Sequence, residues 1–214
     1  MRKSFALLLL VLLVTACTSE DWTQELTYAG PTEINLEPGE FLAGSDIQYV
    51  GKEDSNARLL IGGQQALKKV GDSVDWQGDV LSGVHVEQSL RVAFFTGETL
   101  HLAGTATVTI ATPQPRAETA NTSAPVHLKV PVAYHVEKGQ AIPGSVVTYQ
   151  GKTEQGAHLG NIEGYEYRKF GDSIVWQGKL RDGAWVELDL RTGLILDGSL
   201  DMAGTADLWL APGQ

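Results

Sequence analysis

The octet Gly71-Asp72-Ser73-Val74-Asp75-Trp76-Gln77-Gly78 returns as Gly171-Asp172-Ser173-Ile174-Val175-Trp176-Gln177-Gly178. Held at that spacing of 100, residues 31–114 and 131–214 share 29 identities in 84 positions without a gap. The chain therefore reads as two units of one fold, each of about 80 to 85 residues and near the small end of independently stable domains. Its single cysteine, Cys17, rules out any internal disulfide, so the cores must hold by packing.

Within the octet, Gly-Asp-Ser has turn chemistry, and the residues after it alternate. Val74, Trp76 and Val80 fall on one strand face, with Asp75, Gln77 and Asp79 on the other. The second unit puts Ile174, Trp176 and Leu180 in the same slots, so Trp76 and Trp176 are expected to be core residues. Val84 to Phe95 and Thr99 to Ile110 read as a hairpin, with Val84, Val86, Leu90 and Val92 facing inward and Glu87 and Arg91 outward. Gln65 to Val70 has an ambiguous period. No segment carries a capped helical pattern. The fold class expected is all-β: two tandem small antiparallel β-sandwich or barrel-like domains of the same fold, after an N-terminal leader.

Composition narrows the partners. Hydrophobic residues make up 43 % and charged residues 20 %, as in a folded globular chain. The net charge is −10 and no basic cluster is present, which argues against nucleic acid as a partner.

The N-terminus, Met1-Arg2-Lys3 followed by the apolar run from Phe5 to Val14, has the form of a secretory signal. It ends in Val14-Thr15-Ala16-Cys17, which resembles the lipobox of bacterial lipoproteins. That resemblance implies cleavage after Ala16, lipid on Cys17 and a membrane-anchored, extracytoplasmic chain. The organisation expected is a signal peptide over 1–16, a lipid-anchored tether over 17–30 and a β-domain over 31–111. A Pro-rich linker follows over 112–130, then a second β-domain over 131–211.

Chemistry is sparse. The polar residues common to both units, among them Lys52/Lys152, Asp72/Asp172 and Glu87/Glu187, have plain structural roles. No histidine recurs at the 100-residue spacing, and no nucleotide loop or nucleophile motif is present. No catalytic residue, metal site or cofactor is expected. The differences between units say more. The segment Gly156 to Tyr167 brings together His158, Asn161, Glu163, Tyr165, Glu166 and Tyr167. On the closing hairpin Trp185 and Trp209 take outward parity, and a pairing of Ile195 with Ser199 would set them directly opposite each other. Two exposed indoles would form a flat platform for a sugar ring or a protein. Trp185, Trp209, Tyr165 and Tyr167 are thus the expected ligand-binding residues of an envelope binding module, whose partner is an envelope protein or a glycan. One alternative is an enzyme with a single site between the units, built around His158 and Glu163. Another is a structural spacer, which requires Trp185 and Trp209 to be buried.

Overall fold

Strict apolar-polar alternation in the long segments produces long antiparallel strands. A computed structural model describes residues 25–212; the leader and Cys17 lie outside the described residues. The described chain is all-β, without a helix. In order it forms β1 (Glu25–Leu36), β2 (Ile47–Glu53), β3 (Asn56–Ile61), β4 (Gln64–Lys68), β5 (Ser73–Leu81), β6 (Val84–Phe95) and β7 (Leu100–Ala111). After β8 (Arg116–Ala117) come β9 (Val126–Glu137), β10 (Thr148–Thr153), β11 (Gly156–Gly160), β12 (Tyr167–Arg168), β13 (Ser173–Arg181), β14 (Ala184–Ile195) and β15 (Ser199–Leu210).

Two long sheets have the orders β1-β7-β6-β5 and β8-β13-β14-β15-β9. Two short ones have the orders β2-β3-β4 and β10-β11-β12. Every pairing is antiparallel. Registers recur at the 100-residue spacing: Leu36↔Leu100 beside Val136↔Leu200, and Gln77↔Glu87 beside Gln177↔Glu187. A bulge recurs too, after Tyr49 and after Tyr149.

Each long sheet buries one face along its whole length but covers it with two different partners. One end of the first sheet (Leu36, Leu90, Val92, Leu100 and Leu102) packs on Leu42, Ile47, Tyr49, Ala57 and Leu59 around its own small sheet. The other end (Tyr28, Val84, Val86, Val108 and Ile110) joins a cluster with Val126, Leu128, Val130, Val186, Leu208 and Leu210 of the second sheet. Burying each such side chain stabilises by roughly 1.5–3 kcal/mol, so this shared layer ties the halves together. At its margin Arg181 Nη1 donates to the carbonyls of Gly83 (3.1 Å) and Ala111 (2.8 Å).

The recurring Trp-x-Gly has a steric cause. The Trp176 indole folds back over Gly178, where an added Cβ would lie 1.9 Å from Cη2; at Gly78 the nearest atom is Cζ2 of Trp76, at 2.8 Å. Trp176 is 7 % exposed. Trp76 stays only partly buried, touching both core clusters, so its seat is less closed than expected.

Three boundaries differ from the sequence reading. β1 starts at Glu25, so residues 25–30 of the expected tether are strand, paired from Glu25↔Ala111 to Gly30↔Ala106, with Tyr28 buried. Their polar neighbours mask two inward residues, Leu26 and Tyr28. The expected linker likewise loses residues 126–130 to β9 and residues 116–117 to β8. The ambiguous stretch after Gly63 is strand β4.

Candidate binding cleft

The outer face of the second long sheet carries a cross-strand row, His127 (β9), Trp209 (β15), Trp185 (β14), Lys179 (β13) and Arg116 (β8). Trp185 stands directly opposite Trp209. The hairpin end pairs Ile195 with Leu200 rather than Ser199, and a bulge between Thr192 and Ile195 restores the register.

The two indoles do not form an open platform. Trp209 is 9 % exposed and lies beneath the His127 ring, stacked at 5.1 Å and 11°. Trp185 is half-buried, with Lys179 Nζ 5.4 Å from its ring centre. The groups beside the rings are held by short polar contacts: across the strands Asp207 holds His127 (2.9 Å) and Lys129 (3.0 Å), and in the turn after β13 Asp182 holds Lys179 (2.9 Å).

What Trp185 does instead is orient an acid. Its Nε1 donates to Glu118 Oε1 at 3.0 Å, and Arg116 Nε donates to Glu118 Oε2 at 3.2 Å. The Trp185 bond foremost, then Arg116, holds the Glu118 carboxyl below the usual glutamate range. Glu118 belongs to the segment after β7, which is strapped along β13. Gln114 N donates to Leu180 O (2.7 Å), and Ala120 N donates to Gln177 Oε1 (3.3 Å). Gln177 Nε2 in turn donates to Glu187 Oε2 at 2.6 Å.

Between this strap, the edge of β13 and the loop after β11 lies a cleft of about 480 Å³. The strap supplies Ala117, Glu118 and Thr119, β13 supplies Val175, Trp176 and Gln177, and the loop supplies Asn161, Ile162 and Glu163. Asn161 sits at φ 57°, and its Nδ2 donates to Val146 O at 3.1 Å, which fixes the loop. The lining thus offers two carboxylates, two amides and a hydroxyl, set against the apolar faces of Val175, Ile162 and Trp176, with no cation among them. Such a set can hydrogen-bond a polyhydroxylated ligand edge-on while an apolar wall meets its flat face.

Tyr165 and Tyr167 belong to a separate aromatic cluster. Tyr167 pairs opposite His158, their rings stacked at 5.0 Å and 22°, and Tyr165 tilts against Tyr167 at 5.6 Å. Tyr165 is 66 % exposed. The carboxylate beside His158 is that of Glu166 (3.6 Å), whereas Glu163 lines the cleft. A hydrogen bond with Glu166 pushes the Tyr167 hydroxyl above its ordinary pKa. Among the described residues no three histidine, cysteine or acidic side chains are grouped to hold a metal ion.

Sequence reasoning missed Arg116, Glu118 and Thr119. Their one signal is the alternation Arg116-Ala117-Glu118, submerged in a segment whose prolines read as linker. Comparison of the chain with protein-family models, with characterised proteins and with solved structures gives no match.

Proposed function

We propose that this chain is a bacterial envelope lipoprotein, anchored through lipid on Cys17, whose two tandem units of one β fold present a glycan-binding cleft outside the cytoplasm. The lipobox-like Val14-Thr15-Ala16-Cys17 supports the anchor. The matching strand registers at a spacing of 100 support the tandem organisation. The observation that carries the binding role is the cleft in which Glu118 is held ionised by Trp185 and Arg116 beside Gln177, Asn161 and Glu163.

A sugar unit in the cleft would donate hydroxyls to Glu118 and Glu163 and exchange hydrogen bonds with Asn161 and Thr119, while its less polar face meets Val175 and Ile162. In this reading Trp185 is a positioning residue for Glu118. The test is equilibrium binding of isolated cell-wall glycan to the full-length chain and to its Trp185→Phe and Glu118→Gln variants. Trp185→Phe leaves Glu118 with one fewer donor and weakens binding roughly fivefold, the equivalent of about 1 kcal/mol for one hydrogen bond. Glycan binding that is absent, or indifferent to both substitutions, rejects the cleft as its site. Fatty-acid labelling that persists in Cys17→Ala rejects the anchor.

The burial of Trp209, though not the half-buried Trp185, favours a second reading, a spacer that holds other envelope components apart. It predicts no saturable glycan binding at all.

A further inference from the structure

The outer face of the second long sheet also bears an apolar trough. Ala133, Ala203 and Arg191 share a register row across β9, β15 and β14. Because Ala133, Ala203 and Gly193 carry little or no side chain, they leave a mainly apolar hollow of about 650 Å³ beside Phe170, Arg191 and Asp201. The corresponding place in the first sheet is differently furnished: Phe94 lies flat on His101 (3.6 Å, 18°) where the second sheet has Leu194 and Asp201.

Beside the hollow stands a projection. Phe170 is 79 % exposed, an unusual state for a phenylalanine next to an apolar surface. Opposite charges border the same patch. Arg191 donates to Ser173 Oγ and is in no ion pair among the described residues, while the Asp201 carboxylate meets only His135, at 2.5 Å. A surface that holds a knob, a socket, a cation and an anion within a few residues is complementary to itself under a two-fold rotation, the arrangement that isologous dimers use.

We infer that the trough is the interface between two copies of this chain. Phe170 of each copy enters the trough of the other, and Arg191 of each faces Asp201 of the second copy. A different protein would need to supply only the complements of these features; their presence together on one patch selects a second copy.

The test is photo-crosslinking of the full-length chain in its own membrane with Phe170→benzoylphenylalanine, which keeps an aromatic knob. The expected product is a self-adduct of twice the chain mass, attached near residues 201–203. Arg191→Asp and Asp201→Arg each place like charges together and lower the yield at least about tenfold; the double exchange Arg191→Asp with Asp201→Arg restores it, which a folding defect does not do. Absence of a self-adduct overturns the inference. So does an adduct with another protein or with lipid, or a double exchange that stays as low as the single variants.

Discussion

Gly178 lies beneath the Trp176 indole, where a single methyl group has no room. Gly178→Ala is therefore expected to cost roughly 1–3 kcal/mol by overpacking. Placed in a Trp176→Ala background, where the clash is gone, it costs much less, with a coupling of roughly 0.5–3 kcal/mol between the two sites by urea denaturation. Equal costs in both backgrounds would show that the indole is not the cause. Residue identity made part of this visible beforehand. The inward parity of Trp176 and the Trp185–Trp209 opposition depend on alternation along one strand and on one hairpin, both local quantities. The burial of Trp209 does not, because its cover, His127, comes from a strand that precedes it by more than 80 residues.

At the scale of elements, the segment after β7 separates composition from structure. Its prolines and small residues read as a tether, yet it is bonded along β13 through Gln114 N and Ala120 N. It pairs at Gly178↔Ala117 and Lys179↔Arg116, which covers part of the β13 edge. In native-state hydrogen exchange the Gln114 and Ala120 amides are expected to exchange at least about tenfold more slowly than the neighbouring Thr119 amide. Uniformly fast exchange from 112 to 125 would return the segment to a plain linker and remove one wall of the cleft. The strands and the β6–β7 and β14–β15 hairpins were legible because their period of two persists for 12 residues. The strap was not, because two residues of pairing leave no period to read.

Across the whole molecule, Tyr28 and Tyr134 bring the two halves' chemistry together. Both hydroxyls are buried without a hydrogen-bond partner. Burial pushes both well above the ordinary tyrosine pKa, and for Tyr28 the Tyr134 hydroxyl adds to the rise. In the unfolded chain a tyrosine ionises near about 10. The folded form therefore keeps protons that the unfolded form releases. Its stability is intact below about pH 10 and falls above it, by about 1.4 kcal/mol per pH unit for each tyrosine held protonated. Because the shared cluster spans both halves, thermal unfolding is expected to be one cooperative transition whose midpoint drops above pH 10, and Tyr134→Phe should shallow that drop. Two resolved transitions, or an alkaline slope unchanged by Tyr134→Phe, would contradict this. The amino-acid order by itself determined the all-β class and the inward Trp176, which follow from side-chain alternation and turn chemistry within a few residues, and the spacing of 100, which follows from comparing the chain with itself; the bulges that set the β6–β7 and β14–β15 registers left no such mark. Only the tertiary structure decided that the apolar ends of the two long sheets cover each other, that the polar strap holds Glu118 against Trp185, and that His127 closes over Trp209. Those outcomes rest on contacts such as Arg181 with Gly83, 98 residues apart, and no local pattern records which distant surface a side chain will meet.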